Sequence, residues 1–254
     1  MKRITSLLLV MMIFTAGLAA ADTITVRADS WPPYNDEPDS TQPGYMIEAA
    51  KLIFEAKGHE IDYKLMPWTR SLDSVRKGTY DAVVGTDPEE SPDFVFPKEG
   101  FGINQNGFYV KQGNSWQYSG ISSLQGLKLG IIEGYGYYET IDNYIAANEN
   151  SDKIFAATGD DALPKLLKML KSGRVDAVIE NINVMPLALK DAKLENEIIA
   201  AGVDDERQDL FMAFSPAKES SKEYIQIFDE GLVELRSSGK FQEILSRYGL
   251  KDWK

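Results

Sequence analysis

A stretch of 14 residues occurs twice in this chain and restricts its folding more than any other feature. Leu72-Asp-Ser-Val-Arg-Lys-Gly-Thr-Tyr-Asp-Ala-Val-Val-Gly85 aligns without a gap on Leu167-Lys-Met-Leu-Lys-Ser-Gly-Arg-Val-Asp-Ala-Val-Ile-Glu180, at a constant offset of 95 positions. Each copy reads as the closing turns of an amphipathic helix, a glycine stop and a short apolar strand. Gly78 and Gly173 supply the left-handed backbone position that ends a helix without a Cβ clash. Asp-Ala-Val-Val and Asp-Ala-Val-Ile are runs suited to a strand buried on both faces. One helix-to-strand unit used twice predicts two similar lobes, each with its own sheet.

The rest of the chain fits around that duplication. Thr23–Ala28 alternates and is rich in β-formers, a first strand. It runs into Asp29-Ser-Trp-Pro-Pro-Tyr-Asn35, where two prolines force a turn and present Trp31 and Tyr34 on a stiff loop. A helix follows from Tyr45 to Ala56, then a strand over Glu60–Leu65, the segment Met66-Pro-Trp-Thr-Arg70 and the first repeat copy. Gly85 to Pro92 is loop by composition, and Phe94–Phe96 and Gly107–Val110 are short apolar pieces. The second lobe opens with a strand over Leu127–Ile132, the loop Glu133–Tyr138 and a helix to about Ala147. Ile154–Ala157 reads as a strand, Asp160 or Asp161 as the cap of the second repeat helix, and Asn183 to Leu194 as a helix. Ile198–Ala201 and Leu210–Phe214 read as two strands, and Ser221–Arg236 and Gly239–Gly249 as closing helices. Strands alternating with helices give an α/β fold. Ligands of such sheets sit outside the C-terminal ends of the strands. The informative loops are therefore 29–35, 67–70, 85–90, 133–138 and 180–183.

Composition excludes several chemistries. There is no cysteine, which removes disulfides, thiolate metal sites, Fe–S clusters, thiol nucleophiles and an N-terminal lipid anchor. The single histidine, His59, has no partners nearby in sequence and reads as an exposed turn residue. The scattered acids form no calcium loop, so no metal or cofactor is expected. Net charge is −12, a balance that repels nucleic acid and anionic membrane surfaces. Residues 1–21 read as a removable export signal, with Lys2-Arg3, the apolar run Leu7 to Phe14 and Ala19-Ala20-Ala21 at the cleavage site. That run is too short to cross about 30 Å of hydrocarbon.

These features together resemble the periplasmic solute-binding proteins of ABC importers. The similarity is carried by the export signal, the strand followed by Trp-Pro-Pro-Tyr, the two Gly-x-x-Asp-Ala-Val units and the terminal Gly-Lys-Phe-Gln-Glu-Ile-Leu-Ser-Arg-Tyr-Gly. It is nearest to family 3, the group named for polar amino acids, with the type II periplasmic-binding fold. The resemblance implies two α/β lobes, 22–109 plus 214–254 and 110–213, joined by strands crossing near Phe108–Lys111 and Phe211–Ser215. It further implies a periplasmic monomer that shuts on a small polar solute and is read by an importer permease or a membrane sensor. Amino-acid binders of this kind grip the α-carboxylate with an Arg in a Pro-Glu-Arg-type loop, where this chain has Pro88-Glu89-Glu90. The Asp they use for the α-ammonium aligns with Asn181.

With both ends of that grip changed, the candidate ligand contacts are Asp29, Trp31, Tyr34, Trp68, Arg70, Thr86, Asp87, Glu133, Tyr135, Tyr137, Glu180 and Asn181. Each has a plainer reading beside it. Arg70 either meets an anion in the cleft or starts a helix and pairs on the surface. Gly134-Tyr-Gly-Tyr137 either offers free N–H groups to a carboxylate or is an ordinary tight turn. The aromatics either wall a cationic or aromatic ligand or simply fill the core. The acids either face the ligand or are solvated. Trp116 and Trp253 read as packing residues. An enzyme on the same scaffold, such as a dehydratase, is the rival; it would need a buried carboxylate such as Glu133 or Glu180 as acid or base. Lacking Cys, a usable His and a metal cluster, the chain reads as a binder.

Overall fold

Alternating strands and helices take the chain through one lobe, across to a second and back. The computed structural model describes residues 21–159 and 161–254. In chain order the elements are β1 (Thr23–Ala28), α1 (Tyr45–Glu55), β2 (Glu60–Leu65), α2 (Trp68–Arg76) and β3 (Ala82–Thr86), then β4 (Gly102–Lys111). Next come β5 (Leu129–Ile132), α3 (Glu139–Asn148), β6 (Ile154–Ala157), α4 (Ala162–Ser172), β7 (Ala177–Asn181) and α5 (Val184–Ala192). β8 (Ile198–Phe214), α6 (Ser221–Ser237) and α7 (Lys240–Arg247) finish the chain.

The strand order is β2-β1-β3-β8-β4-β7-β5-β6. β1 pairs in parallel with β2 and β3, and β5 in parallel with β6 and β7. Each lobe thus repeats one three-strand pattern, and the long antiparallel strands β4 and β8 join them. The 95-residue offset carries β3 onto β7 end to end. Both repeat helices stop in the same way: Gly78 has φ 74° and Gly173 φ 72°. The next N–H reaches back 2.9 Å in each copy, from Thr79 to the Ser74 carbonyl and from Arg174 to the Met169 carbonyl.

Apolar faces close both lobes. In the first, Ile24, Val26, Phe54, Phe214, Phe228 and Phe241 share one core, and α6 and α7 pack on α1. Each such side chain contributes roughly 1.5–3 kcal/mol by leaving water. In the second, Leu166, Leu170, Val178 and Met185 fill one face of the sheet, and Phe108, Leu129, Ile131 and Ile179 the other.

Several expectations change. The two strands expected at Ile198–Ala201 and Leu210–Phe214 are one 17-residue strand, β8. Its middle, Val203 to Gln208, lacks an apolar face because it passes between the lobes against β4 and remains partly exposed. Phe108–Lys111 lies within the second sheet, with Phe108 to Val110 paired on β7. The passage on this strand falls at Gly102–Gln105, opposite Arg207–Leu210. Phe211–Phe214 pairs with β3, at the first lobe. His59 is buried, not exposed: its Nδ1 accepts the Asp22 N–H at 3.3 Å and its ring sits edge-on to Phe54 and Tyr224. Helix α6 covers the turn that carries it. Asp161 pairs with Lys165 at 2.6 Å instead of capping α4 with its side chain, and Asp160 lies outside the described residues. So does the expected export signal, apart from Ala21. Among the described residues no helix is long and apolar enough to cross a membrane, and no group of side chains is arranged to hold a metal.

Candidate functional site

The strand ends β1, β3 and β7 converge on one indole. After β1 the chain folds back through Trp31-Pro-Pro-Tyr-Asn35, with the Trp31 N–H on the Asn35 carbonyl at 2.8 Å and the Tyr34 N–H on the Trp31 carbonyl at 3.0 Å. The prolines hold Trp31 flat on Tyr34, ring centroids 4.4 Å apart at 21°. Gly85, at the end of β3, lies against the same indole: a Cβ there would come 3.6 Å from Trp31 Cε3. From the second lobe, Glu180 at the end of β7 accepts the Trp31 Nε1–H on its Oε1 at 3.1 Å.

Further contacts tie the lobes together around this point. The Tyr135 hydroxyl donates to Asp29 Oδ2 at 2.6 Å, with its ring edge-on to Trp31 at 6.4 Å. The Tyr34 hydroxyl donates to the Ile103 carbonyl at 2.5 Å and accepts from Asn183 Nδ2 at 2.9 Å. Asn181 Nδ2 donates to Asn104 Oδ1 at 2.8 Å. The loop after β5 also seats its backbone on the first lobe, where a Cβ on Gly134 would collide with Thr69 Oγ1. The lobes are shut on one another.

A second tryptophan–carboxylate pair lies within the first lobe. Trp68 Nε1–H donates to Glu90 Oε1 at 2.7 Å and Thr86 Oγ1–H to Glu90 Oε2 at 2.8 Å. Asp87 accepts the N–H groups of Glu89 at 2.8 Å and Glu90 at 3.0 Å. Burial pushes the Glu90 carboxyl up to about 7, against the pull of Trp68 and Thr86 and helped by the charges of Asp87 and Asp29. Burial likewise pushes Glu180 up to about 7, opposed by the Asn181 N–H and the Trp31 indole and reinforced by Asp29. Asp87 is raised by burial too. Carboxylates buried together in one crevice are costly to keep charged, and that is why they rise together.

Two spaces open beside these groups. The smaller, about 40 Å³, is bordered by Asp29, Trp31, Trp68, Asp87, Glu90 and Asn104 among others; it has room for a few waters. The larger, about 820 Å³, begins at Asp29, Trp31, Trp68, Tyr135 and Glu180 and continues between α4 and α5.

The residues singled out in the sequence fall into distinct places. Asp29, Trp31, Trp68 and Tyr135 border both spaces, Asp87 only the smaller, Glu133 and Glu180 only the larger. Thr86 stands behind Glu90. Tyr34 and Asn181 are buried behind the crevice wall as braces between the lobes. Tyr137 points into the second lobe's core, where its hydroxyl accepts the Ile132 N–H at 2.8 Å. Arg70 is exposed on α2 and borders neither space. Glu90, Asn35, Asn104 and the faces of α4 and α5 were not among the sequence candidates. For Glu90 the available signal was its place in the Pro88-Glu89-Glu90 loop; the helix faces gave none, because they read as ordinary amphipathic stripes.

Comparisons with known proteins bear on this geometry. A probable histidine-binding protein of Campylobacter jejuni is 22% identical over 244 residues, covering 93% of this chain and 89% of that protein. A solute-binding protein of an ABC uptake transporter from Streptococcus pneumoniae, solved with bound histidine, superposes with a TM-score of 0.72 at 21% identity, over 89% of this chain and 92% of that one. A histidine kinase sensor domain similar to periplasmic binding proteins superposes with a TM-score of 0.73 at 19% identity, over 91% and 98%. The family model for bacterial extracellular solute-binding proteins, family 3, matches residues 24–251, so the two-lobed chain with its aromatic, acidic crevice belongs to that family of solute binders.

Proposed function

We propose that the protein captures a small polar solute between its lobes in the periplasm and hands the closed complex to the permease of an ABC importer. The observation that carries this reading is that residues from both lobes meet across one crevice: Trp31 with Glu180, and Tyr135 with Asp29. Contacts of this kind form only when the lobes shut. A solute that strengthens them shifts the open–closed equilibrium, and the closed form is what a membrane partner distinguishes. The likeness to a sensor domain makes a receptor the other partner compatible with that logic. The histidine of the relatives makes amino acids the first compounds to try.

The test is a thermal-shift screen of small metabolites on the purified protein. A true solute of micromolar affinity corresponds to about −8 kcal/mol. At a hundredfold excess over Kd it adds about 2.7 kcal/mol and raises Tm by roughly 5 °C or more. Failure of every amino acid, amine, carboxylate and sugar to shift Tm would sink the reading. A second reading rests on Glu90 and Glu180, whose carboxyls near 7 suit an acid or base at neutral pH. Every hit is therefore checked for turnover by following its loss from solution; consumption would favour the enzyme.

A further inference from the structure

The crevice carries charge of one sign and opens into a chamber larger than a free amino acid needs. The acidic side chains bordering the two spaces at this end are Asp29, Asp87, Glu90, Glu133 and Glu180, with the Tyr135 hydroxyl donating to Asp29, and among the described residues no Lys or Arg borders the smaller space. Among the described residues, the basic side chains on the larger space are Lys168 and Lys171 of α4. Lys168 is exposed, and Lys171 pairs with Glu197 at 2.8 Å. A ligand carboxylate at Trp31 would lie among acidic side chains.

Glu180 adds a specific demand. It is 2% exposed, its Oε1 is occupied by Trp31 and the Asn181 N–H, and its Oε2 has no hydrogen-bond partner among the described residues. A buried acceptor left in this state is costly until a donor arrives. A donor bearing positive charge also offsets the desolvation of the carboxylate and gains from the Trp31 face.

Beyond Glu180 the walls turn apolar. Leu163, Pro164 and Leu167 of α4 face Val184 and Ala188 of α5 across about 820 Å³, continuous with the crevice through Trp31 and Trp68. Chambers of this size and character enclose ligands well above amino-acid size. Resting on the solute-binding reading above, we propose that the solute is an organic cation without a carboxylate, its charged nitrogen on Glu180 beside Trp31 and an apolar body lying between α4 and α5.

Calorimetric titration of the purified protein with propylamine, heptylamine, 1-heptanol, 2-aminooctanoate and L-histidine tests this. Affinity should rise about fourfold per added methylene, so heptylamine should bind at least fiftyfold more tightly than propylamine. It should exceed 1-heptanol, which lacks the charge, and 2-aminooctanoate, which adds a carboxylate, by tenfold or more. Glu180→Gln should remove the preference for heptylamine over 1-heptanol, and Ala188→Phe should weaken heptylamine while sparing propylamine. Both variants are first checked by circular dichroism, and the wild-type series stands without them. Heptylamine no tighter than propylamine, or 2-aminooctanoate tighter than heptylamine, overturns the proposal. If L-histidine binds and the amines do not, the ligand class is wrong and solute capture stands. If neither these compounds nor any in the broader screen binds, both fall.

Discussion

The two copies of the repeated unit are alike where they build the fold and different where they meet the crevice. In each, the acid of Gly-x-x-Asp-Ala-Val holds a backbone N–H at the neighbouring parallel strand: Asp81 takes that of Thr25 at 2.8 Å, and Asp176 that of Lys128 at 2.8 Å. Both aspartates act as clamps between neighbouring strands. The copies part at the strand's last residues. Gly85, with φ 95°, leaves space against the Trp31 ring, while its counterpart Glu180 supplies a carboxylate to the Trp31 N–H. Two equivalent strand ends thus offer room at one and a carboxylate at the other.

Making the copies alike at that point should have the largest effect. Gly85→Glu places a side chain over Trp31 from a backbone conformation that favours glycine, and solute affinity should fall by more than a hundredfold with a stability loss of about 2 kcal/mol. Gly85→Ala carries the backbone penalty alone. Titration of both should separate strain from filling, and equal loss in the two would mean that the space beside Trp31 is irrelevant.

The second contrast is electrostatic. Glu90 and Glu180 titrate near 7 in the folded protein and near 4.3 when unfolded. Between those values the folded state holds more protons than the unfolded one, so stability declines as pH rises from about 4.5 to 7. Each group accounts for about 3 kcal/mol of that decline. Urea unfolding across this window should show it, Glu180→Gln should remove about half, and a bound cation should flatten it. A flat profile in the ligand-free protein would refute the unpaired charge.

The smallest effect compares the clamps. Asp81 is raised by burial, but Lys218 at 2.6 Å and Thr25 outweigh this and hold its carboxyl below the usual range. Its contribution is complete above about pH 4 and is lost as pH falls through the depressed value. Asp81→Asn should cost about 2 kcal/mol, and Asp176→Asn, which loses the Lys128 N–H, about 1 kcal/mol. Chemical denaturation at pH 7 reads both, and a larger loss at Asp176 would reverse the ranking.

Much of this arrangement was legible in the chain. The stops at Gly78 and Gly173, the apolar Ala82–Thr86 and Ala177–Asn181 strands and the stiff Trp-Pro-Pro-Tyr loop are local matters, decided by backbone sterics and patterning over a few residues. The middle of β8 was not legible, because Val203 to Gln208 pairs only as it crosses between lobes and shows no apolar alternation. The burial of His59 is not legible for a related reason: it is imposed by α6, more than 160 positions away in the sequence.

What the sequence determined by itself is the duplicated α/β framework and the aromatic and acidic loops at its strand ends, since each follows from short-range preference. Only the tertiary structure decided which of those side chains face one another. It turned Tyr137 into the core, left Arg70 outside, joined Trp31 to Glu180 across 149 positions and opened the chamber between α4 and α5. Charge and burial at a point depend on all the chain that arrives there, and no stretch of sequence carries that information alone.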